Sequence, residues 1–272
     1  MKDTKHHTKA SGVDTTESSV ETKDRELFNQ IAEHYCRKDI LTVSRIARRQ
    51  RLRKTFSVLP EIPDAHILDV GCGCGFSASY LKGSYSRYVG VDYAENLIRF
   101  ARKHNGSDKA DFYLKKIDEF FPDQEFDVIF MIGVLHHFDD LKKNFEHICR
   151  LLKPGGWILA NEPQSSNVFI KLARKIRAKI DSSYSSDQVS LSVKDLHNLY
   201  ENSGLTDIRI IPQGILSTPF AEVSVKAQLL FVPVVYLSVL FDRVAESIFG
   251  RLLTPFSWNL VAAGRKSDTI EI

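Results

Sequence analysis

The run His66-Ile-Leu-Asp-Val-Gly-Cys-Gly-Cys-Gly75 constrains this chain more than any other feature. Ile67 to Val70 predicts a short buried strand, and a helical pattern begins at Phe76. Glycines at such a strand-to-helix turn permit unusual dihedrals and let a ligand lie against bare peptide. The helix N-terminus behind them offers unpaired N–H groups and partial positive charge. About one βαβ step later, Ser86-Arg-Tyr-Val-Gly-Val-Asp92 predicts a second strand ending in an acid, where such folds hold ribose hydroxyls. A dinucleotide fingerprint would want a third glycine at position 76. This chain has Phe76, which disfavours a nicotinamide oxidoreductase.

Further strand patterns follow in order. Asp111 to Asp118 again ends in an acid, Phe126 to Ile132 leads into Gly133-Val-Leu-His-His-Phe-Asp139, and Leu151 to Ala160 is a helix end, a Pro-Gly-Gly turn and a strand. Asp207 to Ile211 is a sixth strand, and Ser192-Val-Lys-Asp195 opens the helix before it with a capping-box-like start. Strands alternating with helices argue for a doubly wound parallel sheet with ligands beyond the carboxyl ends of its strands. Asp69, Asp92, Asp118, Ile132 and Ala160 fall at those ends.

Gly-x-Gly-x-Gly after an acid-bearing strand, with these segments in this order, resembles the small-molecule (type 11-like) branch of the class I S-adenosylmethionine-dependent methyltransferases. The resemblance covers roughly residues 26 to 212, and Trp258 to Lys266 resembles the family's final strand. It implies an α/β fold: a doubly wound, mostly parallel seven-stranded Rossmann-like sheet with N-terminal helices and a helical cap between strands six and seven. The expected organisation is a disordered tail over 1–24, one domain over 25–266 with its cap at 219–255, and a second tail over 267–272. S-adenosylmethionine is the implied cofactor. Asp69, Gly71, Gly73 and Gly75 would line its methionine end, Asp92 would take the ribose hydroxyls, and Ile117 with Asp118 would read the adenine edge. Ile132 and Gly133 would lie beneath the sulfonium, and Tyr35, in the leading helical stretch Glu26 to Thr55, would place an aromatic face over it. Cys74 departs from the small or hydroxylated residue more usual there.

The composition is that of an ordinary globular domain, 43% hydrophobic and 26% charged. A net charge of +3 over 272 residues is too small to argue for nucleic acid. Nor does Gly133 to His136 match the Asn/Asp-Pro-Pro-aromatic run of amino-methylating nucleic-acid enzymes. Cys72 and Cys74 make a poor zinc site without a second ligand pair, so no metal is expected. All four cysteines, Cys36, Cys72, Cys74 and Cys149, read as free thiols of a reducing compartment. The polar stretch from Met1 to about Lys23 has no apolar core like that of a signal peptide, so a cytoplasmic protein is expected.

Methyl transfer from a sulfonium is a direct displacement, in which the protein chiefly aligns groups and excludes water. A base helps when the acceptor is a hydroxyl or an acidic carbon. His136 and His137, at the cofactor end of the fourth strand, are the candidates, against packing and helix capping. Glu162 points toward the same mouth as a substrate contact. The apolar stretch Ala227 to Leu253 is expected to break or kink near its start, at Pro233, and to cap the acceptor site. Its uncharged run is too short to span a bilayer. Arg45, Arg48, Arg49, Arg51, Arg53 and Lys54 form either a solvated helix face or a surface for an anionic membrane or a phosphorylated substrate. The expected activity is methylation of a lipophilic small molecule, O-methylation ahead of carbon or nitrogen, with peripheral membrane contact or a homodimer as further expectations. The competing class is a non-catalytic cofactor-binding subunit with 227–253 as its partner surface.

Overall fold

Ile67–Val70, Tyr88–Val91 and Val128–Met131 are each runs of four consecutive buried residues, as expected of parallel strands covered by helices on both faces. The computed structural model describes residues 20–164, 167, 191–222 and 227–268. Its seven strands are β1 (His66–Val70), β2 (Arg87–Asp92), β3 (Ala110–Leu114), β4 (Phe126–Ile132), β5 (Leu152–Pro163), β6 (Leu205–Gln213) and β7 (Asn259–Lys266). They form one sheet in the order β3-β2-β1-β4-β5-β7-β6, and β7 runs antiparallel to both β5 and β6. The order reverses beside β1, and that switch point opens a crevice at the strands' carboxyl ends.

Neighbouring residues of a strand face opposite layers. Leu68, Val70, Ile129 and Met131 meet Phe145 and Ile148 of α5 (Leu141–Arg150) and Leu196 and Tyr200 of α6 (Val193–Asn202). On the other side, Ile67, Val128, Phe130 and Leu159 meet Leu52 of α2 (Thr42–Phe56) and Ile98 and Ala101 of α4 (Glu95–Asn105). The capping box before α6 is complete: Asp195 N–H donates to Ser192 Oγ, and Ser192 N–H donates to the Asp195 carboxylate.

Several boundaries differ from the sequence expectations. Helix α1 spans Val20–Ile40, so it begins inside the expected disordered tail. Its first turns are held by Glu21 on Lys116 and Asp24 on His137, both at 2.6 Å, contacts that no local apolar pattern announces. Residues 1–19 and 269–272 of the two expected tails lie outside the described residues. The helical pattern expected from Glu26 to Thr55 is two helices, because Leu41 is extended (φ −65°, ψ 127°) between α1 and α2. Strand β3 stops at Leu114, and Asp118 lies in the 3-10 turn Ile117–Glu119.

After α7 (Thr218–Glu222), the apolar segment forms α8 (Gln228–Phe249), which continues through Pro233 instead of breaking there. A proline here forfeits one hydrogen bond, to the carbonyl of Leu229. Leu229 is 85% exposed in the second residue of the helix, so water can satisfy that carbonyl. The inner face of α8, with Val235, Val239 and Ala245, is buried on the α2 side of the molecule.

Candidate active site

The glycine loop between β1 and α3 (Phe76–Tyr80) is built for close packing as well as for a ligand. Gly71 has φ +69°, and a Cβ there would lie 2.5 Å from Val134. Gly75 has φ +74°, and its Cβ would lie 2.5 Å from Phe112. Its glycine is therefore demanded by β3 beneath the loop, and Gly75 is not among the walls of the cavity above it. Gly73 does line it. Its N–H donates to Asp92 Oδ2 at 2.9 Å, while Ala94 N–H donates to Oδ1 at 2.8 Å. Burial raises the Asp92 pKa, and these two N–H groups oppose the shift.

A cavity of about 70 Å³ opens over this loop, with Asp69, Gly71, Gly73 and Ile132 among its walls and Tyr35 and Tyr80 facing them. Asp69 is 3% exposed, and the Tyr88 hydroxyl donates to its carboxylate. Burial pushes the Asp69 carboxyl up to about 7, although Tyr88 and Ser77 favour its ionised form. The Tyr35 ring lies against the Arg48 guanidinium, 5.0 Å from its centroid, and Arg48 is itself held by Asp39 at 2.7 Å.

Helix α1 lies along the strand ends from β3 to β4. Glu21 reaches Lys116 after β3, Asn29 holds Asn96 at the start of α4, and Asp24 reaches His137 after β4. Cys36 is disulfide-bonded to Cys74 in the glycine loop, with Cα atoms 5.7 Å apart. This corrects the expectation of four free thiols. Cys72 and Cys149 are the free cysteines, and burial pushes both thiols up, Cys149 to about 12. Sequence cannot reveal the pair, because 38 residues separate the partners and only the placement of α1 brings them together.

The two candidate bases are placed differently. His136 Nδ1 lies 2.7 Å from Glu162 Oε2, and Glu162 Oε1 accepts from the N–H groups of Val134 and Leu135 at 2.8 and 2.9 Å. Glu162 is 1% exposed and belongs to β5. It is thus a support for His136 and the loop after β4, rather than the substrate contact expected of it. A carboxylate accepts only, so His136 donates from Nδ1, and the neutral tautomer consistent with that bond carries its lone pair on Nε2. His137 Nδ1 pairs with Asp24 at 2.6 Å, and its ring meets Phe28 edge-on. That histidine anchors α1. Gly133 (φ +68°) stands open beside His136: a Cβ there would meet only His136 Cε1, at 3.9 Å.

The site residues read from the sequence are divided, and Gly75, Gly133, His136 and His137 are not among the cavity walls. Tyr35, Asp69, Gly71, Gly73 and Ile132 converge on the cavity, with Asp92 joined to them through Gly73. Ile117 and Asp118 stand farther along the row, beyond β3, and Ile117 is 7% exposed in the core. The basic run is also divided. Arg48 is buried on Asp39, Arg51 pairs with Glu222 and Lys54 with Glu246, leaving Arg45, Arg49 and Arg53 on the exposed side.

A cofactor with a ribose and a methionine end suits this donor set. Each Asp92 oxygen has used one of its two lone-pair positions, so hydroxyl donors can still be accepted. The buried Asp69 is available to a cationic amino group, and Gly73 and Gly133 leave bare peptide on either side. Fold and site together resemble those of the class I S-adenosylmethionine-dependent methyltransferases.

Residues 68–160 match the family model described as a methyltransferase domain, so the chain carries such a domain over those residues. Phosphoethanolamine N-methyltransferase of Triticum aestivum is 33% identical over 104 residues, 37% of this chain and 21% of that protein. Ubiquinone biosynthesis O-methyltransferase of Thiobacillus denitrificans is 32% identical over 96 residues, 34% of this chain and 41% of the relative. The match thus spans about a fifth of the length of the first of these relatives and two fifths of the second. Among solved structures, an S-adenosylmethionine-dependent methyltransferase from Thermotoga maritima superposes with a TM-score of 0.62 at 18% identity, over 89% of this chain and 99% of that one. Magnesium protoporphyrin IX methyltransferase from Synechocystis PCC 6803, with bound S-adenosylhomocysteine, gives 0.60 at 13% identity over 91% and 100%. At these identities the structural likeness speaks for the fold.

Proposed function

We propose that this protein transfers a methyl group from S-adenosylmethionine to an oxygen of a lipophilic small molecule, with His136 as the base. The observation that carries the choice of oxygen is the His136–Glu162 pair. An amine attacks through its own lone pair and sheds its proton afterwards, whereas a hydroxyl becomes a competent nucleophile as its proton leaves. A histidine with Nε2 held open by a buried carboxylate is suited to the second case. The O-methyltransferase of ubiquinone biosynthesis among the relatives supports an oxygen acceptor, and the N-methyltransferase relatives define the rival.

When bound, the cofactor supplies an electrophilic methyl carbon on a cationic sulfur. The chain supplies the rest. Asp92 and Asp69 would hold the two ends, and Tyr35, whose ring already meets Arg48 and Lys38, closes one wall of the cavity. His136 Nε2 takes the proton that the acceptor hydroxyl gives up as its oxygen forms the new bond to carbon. Glu162 holds the imidazole ring in place through its bond to Nδ1. Burial of the site excludes the water that would compete for the methyl group.

The experiment is incubation of the purified protein with lipid-soluble extracts and methyl-labelled cofactor, followed by mass spectrometry of the labelled products. A labelled ether is the expected product. His136→Ala is expected to lower turnover by roughly 10²–10⁴ with cofactor affinity unchanged. A labelled amine, or turnover unchanged in His136→Ala, would overturn the proposal.

A further inference from the structure

We infer that the outer face of α8, together with the exposed arginine stripe of α2, is a docking surface for an anionic lipid bilayer, with the helix lying in the plane of the interface. This inference stands on the surface alone and does not depend on which atom is methylated.

Helix α8 has two unlike faces. Leu230, Leu237, Phe241, Val244 and Ile248 follow one another at spacings of seven, four, three and four residues, which is one side of a helix. They and the adjoining Leu240 are between 49 and 75% exposed. The 29 residues Gln228–Phe256 include a window of mean hydropathy 1.6, of which only 28% is buried. A core helix of such composition would be mostly covered. Apolar area of this extent, contiguous on one helix, marks a surface that meets something apolar.

The charged residues of α8 identify how it lies. They are Asp242, Arg243 and Glu246, and none belongs to the outer stripe. Asp242 accepts from Leu216 N–H and from the N–H and hydroxyl of Ser217, while Glu246 accepts from Gly214 N–H and pairs with Lys54. Arg243 donates to Gln50 of α2. These bonds fasten the helix lengthwise to the domain. Crossing the hydrocarbon would break them and strand two carboxylates there, so an in-plane position follows instead.

Charge complementarity identifies the occupant. Arg45, Arg49 and Arg53 stand four residues apart on the exposed side of α2. With Tyr236, Leu237 and Leu240 of α8 they line a groove of about 790 Å³. Arg45 and Arg53 have no carboxylate within ion-pair distance among the described residues, unlike their neighbours Arg48, Arg51 and Lys54. A row of guanidinium groups along an apolar helix face matches phosphate and carboxylate headgroups above acyl chains. Tyr80 lines both this groove and the cavity over the glycine loop. The bilayer is thereby set beside the cofactor site, where a membrane-dissolved acceptor has the shortest way in.

The test is sedimentation of the purified protein with vesicles of phosphatidylcholine and phosphatidylserine, against vesicles of phosphatidylcholine alone. The protein is expected to sediment with the anionic vesicles at low salt and to be released as salt rises. Replacing Arg45, Arg49 and Arg53 together by Gln should weaken binding on the order of 10²-fold, at about fivefold per basic residue. Leu237→Glu with Leu240→Glu should weaken it roughly tenfold or more, each variant being checked for folding by circular dichroism. Wild-type protein left in the supernatant at low salt would overturn the inference. So would undiminished binding of the arginine variant, a dimer in sedimentation equilibrium that Leu237→Glu dissolves, or membrane protein that resists alkaline extraction as a spanning helix does.

Discussion

His136 and Glu162 meet at 2.7 Å although 26 residues separate them, because β4 and β5 are parallel neighbours whose carboxyl ends lie side by side. One carboxylate thereby performs two tasks, holding the imidazole through Oε2 and two backbone N–H groups through Oε1. Glu162→Gln keeps the shape but offers the ring an amide whose NH₂ end can turn toward Nδ1. Turnover is expected to fall roughly 10²-fold, in line with the loss when a metal-bound or catalytic histidine loses its orienting carboxylate. S-adenosylhomocysteine affinity, measured alongside, should be nearly unchanged. A matched loss in both would show that Glu162 merely shapes the loop.

Asp69 makes cofactor affinity depend on pH. Its carboxyl titrates near 7 in the fold because it is buried, whereas an unfolded chain ionises it near 4. Between those values the folded protein holds the extra proton, so this residue opposes folding increasingly as pH rises from about 4 to 7, and by a constant amount above. A cationic amino group placed against it favours the carboxylate. Binding of S-adenosylhomocysteine should therefore release a proton below pH 7, tighten as pH rises toward 7, and level off beyond. Calorimetry in buffers of different ionisation enthalpy measures the proton directly. Asp69→Asn should bind more weakly and lose the pH dependence.

The Cys36–Cys74 bond ties the α1 strap to the cofactor loop. Closing a loop of this length corresponds to roughly 3–4 kcal/mol of stability through the unfolded chain. Thiol titration of the denatured, unreduced protein is expected to find two thiols, those of Cys72 and Cys149. After reduction it should find four, with a lower melting temperature. Four thiols before reduction would show that the bond does not form in solution.

Much of the fold is legible in the chain because its strands are covered on both faces. Ile67–Val70 and Phe126–Ile132 read as largely apolar runs, each broken by a single Asp and followed by glycine, and Asp69 and Asp92 stand at the strand ends that ring the crevice. What is illegible depends on contacts across that crevice. Nothing near Val20 announces a helix start, since Glu21 and Asp24 find their partners at Lys116 and His137. Glu162 reads as a free acid at the mouth until β5 is aligned on β4. The glycines of the β1–α3 turn read from the sequence as ligand positions, but Gly75 also answers to Phe112, 2.5 Å from a Cβ placed there. Pro233 fails to break α8 because only one exposed carbonyl, that of Leu229, loses its partner.

Calorimetry with S-adenosylhomocysteine tests the central claim most directly, because Asp92 is the acid on which the cofactor assignment rests. The wild-type protein should bind this product. Asp92→Ala should weaken binding by about 1.5–3 kcal/mol, the loss of hydrogen bonds to a charged group, with the fold retained by circular dichroism. Wild-type protein that binds NAD and not S-adenosylhomocysteine would contradict the account.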